Sequence, residues 1–278
     1  MLPDVRKVVI NAMTPSFASS PASSPAFDSS VAAIHQVELS SICNLRCPYC
    51  VSPNLTRPKV HMSREHLARA LDWIRFYIER DGYTAPRGYP EVNLAGIGES
   101  TIHPEFADFV RQIREAVGPE VRLICATNGI AVTPELVTAV QPYNVRFWLS
   151  LHQPARVVEA ARLLRDAGLL EHASADFVVA PNDWAGQLSA TRTPAAGFQL
   201  PCPWIKYGWC MVMADGRVTT CCLDASGAGV IGHVNDPIGA PWRTQPYMLC
   251  RTCYQDLGIL GYDQRAGVPR LSGNERVH

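Results

Sequence analysis

Cys43, Cys47 and Cys50 stand in the run Cys43-Asn44-Leu45-Arg46-Cys47-Pro48-Tyr49-Cys50, a C-x3-C-x2-C spacing. Three thiolates on one short loop can cap three irons of a cubane cluster, leaving the fourth iron open to a small molecule. A cluster with an open iron is a catalyst rather than a staple. Structural zinc is the competing assignment. Zinc sites, however, are usually built from separated C-x2-C pairs that complete four ligands, and this run has no fourth partner beside it.

Six more cysteines follow residue 200: Cys202, Cys210, Cys221, Cys222, Cys250 and Cys253. Cys210 to Met213 and Arg217 to Cys221 flank Ala214-Asp215-Gly216, which predicts a tight β-hairpin. The hairpin would bring Cys202 and Cys221 within reach of one metal centre, and Cys250-Arg251-Thr252-Cys253 supplies a C-x2-C pair to complete it. Four thiolates fill every iron of a 4Fe-4S cluster, so this second site has no open position. Cys210 or Cys222 is an alternative to Cys221 as ligand, and a zinc ribbon is an alternative to the cluster. Cys125 lies inside a strand pattern and reads as a small buried hydrophobe.

The elements that must position these groups alternate between strand and helix patterns, which predicts parallel βαβ units. Ile34 to Leu39 is a first strand, and the first cysteine loop follows it. Leu67, Leu71, Ile74 and Ile78 mark a helix from Ser63, its N-cap, to Arg80. Val92 to Leu94 is a second strand, with a helix near Pro104 to Val117. Val121 to Ala126 is a third, followed by Thr133 as N-cap and Pro134 in the first helical turn. Val145 to Leu149 is a fourth, and its helix, Ala155 to Ala167, ends at Gly168. Asp176 to Ala180 and Gly197 to Leu200 read as a fifth and a sixth. Five or six such units do not close an eight-stranded barrel. The expected fold is therefore α/β, a partial (β/α)6 TIM-type barrel with a small C-terminal cysteine-rich auxiliary domain containing the hairpin, and ligands should gather at the strands' carboxyl ends. The expected division is a mobile Ser/Ala/Pro-rich arm over 1–30, the barrel over 31–200, the auxiliary domain over 201–258 and a tail over 259–278.

Leu94-Ala95-Gly96-Ile97-Gly98-Glu99-Ser100 follows the second strand, and its glycines allow a backbone to approach a ligand closely. Thr127-Asn128-Gly129 ends the third strand, Ser150-Leu151-His152 the fourth, and Asn182 follows the fifth. His61, Arg146 and His152 are position-based candidates for acid-base work on a substrate.

The first cysteine run, with Tyr49 before its last cysteine, resembles the signature of the radical S-adenosylmethionine (radical SAM) enzymes. The loop at Gly98 and Glu99 is similar to that family's glycine-glycine-glutamate motif, with Ile97 and Ser100 departing from the usual residues. The resemblance implies a SAM-binding 4Fe-4S cluster on Cys43, Cys47 and Cys50, with SAM contacted by Tyr49, Gly98, Glu99, Ser150 and Asn182. One electron would then release a 5′-deoxyadenosyl radical that abstracts a substrate hydrogen. Cys202-Pro203-Trp204, the spacing from Cys202 through Gly216 to Cys221, and Cys221-Cys222-Leu223-Asp224 resemble the SPASM and shorter twitch auxiliary domains. That resemblance implies one auxiliary 4Fe-4S cluster on Cys202, Cys221, Cys250 and Cys253. Cys210 and Cys222 are then candidate hydrogen-atom donors to a substrate radical.

With 278 residues, 47% of them hydrophobic, the chain has ample material for a buried core, and its formal net charge of zero gives no general nucleic-acid or membrane surface. The ten cysteines group by metal-ligand spacing rather than as a disulfide framework, which points to a reducing compartment. Val8 to Met13 is too short for a signal-peptide core and no run approaches a membrane span, so a cytoplasmic location is expected. The short auxiliary region resembles that of an aminocyclitol dehydrogenase, which favours a small polar substrate such as a sugar, aminocyclitol or nucleoside. Dehydrogenation, epimerisation or rearrangement are the expected outcomes, with a flavodoxin- or ferredoxin-like electron donor. Peptide maturation is the second enzyme reading. A non-catalytic zinc scaffold or electron carrier is the third, and such a protein would not need Glu99 and its glycines.

Overall fold

The computed structural model describes residues 32–81, 91–175, 184–188 and 202–253. Strands β1 (Ala33–Val37), β2 (Glu91–Asn93), β3 (Arg122–Thr127), β4 (Val145–Ser150) and β5 (Leu170–Ser174) pair in parallel, each beside the next. Helices α1 (Arg64–Asp81), α2 (Phe106–Val117), α3 (Pro134–Val140) and α4 (Val158–Asp166) connect them and pack in sequence, α1 on α2, α2 on α3 and α3 on α4. A one-turn helix α5 (Pro203–Lys206) leads into β6 (Trp209–Val212), β7 (Arg217–Thr219) and β8 (Val230–His233).

The helix starts are fixed by side chains the sequence singles out. Ser63 Oγ accepts the His66 N–H at 3.0 Å, and Thr133 Oγ1 accepts that of Leu136 at 3.2 Å. Gly168, at φ +72°, ends the α4 segment in the left-handed region. Strand and helix limits agree with the periodicity to within a few residues. The first turn of the fourth helix is separate, however, as a tight turn at Pro154–Arg156.

Two differences matter for function. The strand that pairs with β4 is Leu170–Ser174, whose polar Leu-Glu-His-Ala-Ser lacks an apolar run. The segments 176–180 and 197–200, Asn182, the N-terminal arm and the C-terminal tail lie outside the described residues. The hairpin, moreover, continues the barrel's own sheet. β6 lies parallel to β1, with Ala33 opposite Trp209 and Val37 opposite Val212, and β7 and β8 extend that edge antiparallel. The full order is β5-β4-β3-β2-β1-β6-β7-β8. Every residue of β1 and of β6 is buried, as befits central parallel strands covered on both faces. Ile34, Trp73, Tyr77, Phe109 and Phe147 share one core with Val212 and Val218 of the hairpin.

Candidate metal and cofactor site

Because β1 to β4 are parallel, the segments after them share one edge of the sheet, and hydrogen bonds join those segments. The Glu99 N–H donates to Ile42 O at 2.8 Å, seating the glycine loop beneath the first cysteine loop. A Cβ on Gly98 would stand 2.3 Å from Ser40 O and 2.5 Å from Ile42 O, so this glycine yields to the chain leading into Cys43. Asn128 Nδ2 donates to Asn44 Oδ1 at 2.7 Å and lies 3.9 Å from Cys43 Sγ. Tyr49 Oη and His152 Nδ1 are hydrogen-bonded at 3.0 Å, and Ser150 sits at the end of β4.

Glu99 is buried. Its Oε1 accepts from Thr101 N at 3.1 Å, Thr101 Oγ1 at 2.6 Å and Thr127 Oγ1 at 2.8 Å, and its Oε2 accepts the Asn128 N–H at 2.8 Å. Burial raises its pKa against the pull of these donors. The carboxylate therefore ties the ends of β2 and β3 together, and Oε2 retains room for one further donor.

The thiols form two electrostatic groups. Burial pushes Cys43 up to about 11, and Glu99, Cys50 and Cys47 add to the shift. Burial likewise raises Cys50, with Cys47 adding to it. N–H groups of Leu45 and Ser52 reach Cys43 and Cys50 sulfur at 3.4 Å each. In the second group, burial and then the charge of Cys221 push Cys202 up to about 12, with a further contribution from Cys253. Cys250 is raised by burial and by Cys221. Cys221 is raised by its hydrogen bond with Cys222 and by burial. Cys202, Cys221, Cys250 and Cys253 thus share a neighbourhood, with Cys222 beside them. Cys210, by contrast, is fully buried in the main core with Cys125.

The ten cysteines, all among the described residues, form no disulfide. Among the described residues, no three His, Cys, Asp or Glu side chains are grouped to hold a metal ion. The chemistry of the donors fits an iron–sulfur group: soft sulfur in partly buried sets, with backbone N–H groups aimed at it. Binding iron would displace the protons that burial holds on these thiols.

Sequence reasoning missed the connection between the two thiol groups. Glu38, just past β1, and Arg57 form an ion pair at 2.6 Å, with side chains 0% and 1% exposed. Glu38 Oε1 also accepts the Ile97 N–H at 2.8 Å, and Oε2 that of Ala214 at 2.9 Å. Arg57 Nε donates to Ala225 O at 2.7 Å. One pair therefore holds the glycine loop, the hairpin turn and the chain beyond Cys222. A second bridge runs through 184–188, where Trp184 Nε1 donates to Tyr49 O at 3.0 Å and Gln187 Nε2 to Leu223 O at 2.7 Å. A carboxylate inside the strand pattern Ile34 to Leu39 was the available signal, since a buried carboxylate demands a partner.

The acid-base candidates divide. His152 joins the site through Tyr49, and burial lowers its pKa. His61 packs edge-on against His103 at 5.1 Å, and burial lowers its pKa as well. Arg146 is removed from the strand-end group: it lies at the amino end of β4, held by Gly168 O and by Glu171 at 3.7 Å.

Residues 37–158 match the family model described as the Radical SAM superfamily. A curated relative, the tungsten-containing aldehyde ferredoxin oxidoreductase cofactor-modifying protein of Pyrococcus furiosus, is 29% identical over 112 residues, 39% of this chain and 27% of that protein. The chain thus matches about a quarter of that relative's length. Among solved structures, BtrN in complex with AdoMet and 2-DOIA superposes with a TM-score of 0.58 at 18% identity, covering 74% of this chain and 80% of that one. Native anSMEcpe with bound AdoMet gives 0.51 at 13% identity, covering 74% and 79%. At these identities the likeness is one of fold.

Proposed function

We propose, for a chain whose residues 37–158 match the Radical SAM superfamily model, that it is a radical SAM enzyme and removes a hydrogen atom from a small polar molecule, such as a sugar, aminocyclitol or nucleoside. Dehydrogenation, epimerisation or rearrangement would follow. The carrying observation is the joined strand-end loops: Cys43, Cys47 and Cys50 sit on a loop braced by Ile42, Asn44 and Tyr49 against Glu99, Asn128 and His152. Those three cysteines would hold a 4Fe-4S cluster, which when bound supplies the electron that cleaves SAM to a 5′-deoxyadenosyl radical. Gly98, Glu99 and Ser150 line the adjoining loops, and Glu99 keeps one acceptor position for an amino group. Cys202, Cys221, Cys250 and Cys253 would hold a second cluster in a SPASM/twitch-like unit, with a flavodoxin- or ferredoxin-like protein as electron donor.

The small-molecule reading is supported by the fold shared with BtrN, whose structure contains 2-DOIA. The test is 5′-deoxyadenosine release from SAM by anaerobically reconstituted, reduced protein, beside Cys43→Ala/Cys47→Ala/Cys50→Ala. Release by the wild type alone is expected, accelerated by the true substrate among sugars, aminocyclitols and nucleosides. A brown protein with about eight irons per chain that never releases 5′-deoxyadenosine would instead favour an electron carrier.

A further inference from the structure

Two buried donors beside the second thiol group find no acceptor among the described residues. Trp204 Nε1 and Tyr247 Oη are both shut off from solvent, and neither has a hydrogen-bond partner among the described residues. Buried donors of this kind are ordinarily satisfied, and an orphan marks the place of an acceptor. Burial, and then the charges of Cys221, Asp224, Cys250 and Cys222, raise the pKa of Tyr247. Its ring packs over Gly229, where a Cβ would stand 2.7 Å from the ring carbon that bears the hydroxyl. Its backbone N–H reaches Cys250 Sγ at 3.5 Å. Trp204 follows Cys202 by two residues and packs in a cluster with Trp209, Met211 and Met213, against which Cys202 and Cys222 also lie. The two orphans thus stand beside thiols from separate segments of the chain.

We propose that Tyr247 and Trp204 donate hydrogen bonds to sulfur of a cluster held by Cys202, Cys221, Cys250 and Cys253, and that these bonds raise its reduction potential. The inference rests on the reading that those four thiols hold an iron–sulfur cluster. Hydrogen bonds to cluster sulfur favour the more negatively charged, reduced state, so removing one lowers the potential. A raised potential suits this cluster to accept an electron. In a dehydrogenation the substrate loses a hydrogen atom to the 5′-deoxyadenosyl radical, one electron to this cluster and one proton to solvent. The cluster would then pass that electron to the oxidised form of a flavodoxin- or ferredoxin-like carrier.

The test uses the full chain with Cys43→Ala, Cys47→Ala and Cys50→Ala, so that the second cluster alone gives the signal. Its midpoint is read by an EPR-monitored redox titration, with and without Tyr247→Phe, Trp204→Phe and both together. Each change is expected to shift the midpoint to more negative potential, and the pair further than either. Tyr143→Phe, on the turn before β4, should leave it unchanged. About four irons per chain with a midpoint that none of the changes moves would overturn the inference while leaving the cluster in place. Protein that takes up zinc or no iron would overturn the cluster reading, and this inference with it. Tyr247→Phe removes a single oxygen, so it decides the question alone if Trp204→Phe does not fold.

Discussion

At the scale of the residue, His35 is a titratable group held neutral inside a central strand. It is 3% exposed, stacks on Trp209 with ring centres 4.2 Å apart, and hydrogen-bonds the Glu91 backbone. Burial lowers its pKa from 6.5 to about 3, against the pull of that hydrogen bond. As pH falls below 6.5 the unfolded chain binds a proton that native His35 refuses until about pH 3. Stability from this residue is therefore complete above that window and declines through it, by about 1.4 kcal/mol per pH unit. His35→Phe should remove this share of the acid sensitivity while losing one hydrogen bond, about 1 kcal/mol at neutral pH. Urea unfolding of both proteins between about pH 7 and about pH 5 checks it. An unchanged slope in His35→Phe would show that another group carries the proton uptake.

At the scale of the element, the Glu38–Arg57 pair decides how loops from distant parts of the sequence meet. A buried pair of this kind adds little over an apolar substitute, but breaking it strands a charge. Arg57→Met should cost about 3–5 kcal/mol, and Glu38→Gln/Arg57→Met should recover part of the loss because no bare carboxylate remains. Equilibrium denaturation of the three proteins checks this, and a double variant less stable than Arg57→Met would refute it. The same pair marks where the sequence ceased to be readable. Cys43, Cys47 and Cys50, the caps at Ser63 and Thr133 and the turn at Gly216 were legible because each is a local pattern with a local physical cause. Glu99 was legible as a candidate site residue, but its bonds to Thr127 and Asn128 depend on β2 and β3 being neighbours. β5 was missed because Leu170–Ser174 becomes a strand by pairing with β4 rather than by its own propensity. The placement of β6 beside β1 is likewise a long-range choice. The buried run Trp209-Cys210-Met211-Val212 signalled a central strand without naming its neighbour.

At the scale of the whole molecule, that placement makes the cysteine-rich C-terminal part inseparable from the first site. β1 carries the first cysteine loop at its end and lies between β2 and β6, so it depends on both halves of the chain. Trp242 stacks on Trp73 of α1 at 3.8 Å and accepts the Ala32 N–H through its carbonyl at 2.7 Å. Trp73 Nε1 in turn donates to Val234 O at 3.0 Å. A chain cut after residue 201 would lose these contacts and turn β1 into an edge strand whose buried Ala33, Ile34 and Val37 face no partner. An exposed, apolar edge of that kind pairs with other chains. The cut protein should therefore aggregate even though the whole matched segment 37–158 is present. The uncut 278-residue chain with Cys202→Ser/Cys221→Ser should stay soluble, because the hairpin's backbone pairing does not need the thiols. Soluble fraction and size-exclusion profile distinguish the two. A monodisperse, soluble 1–201 fragment would mean that β1 is held by β2 alone, and the first site could then be studied without the second.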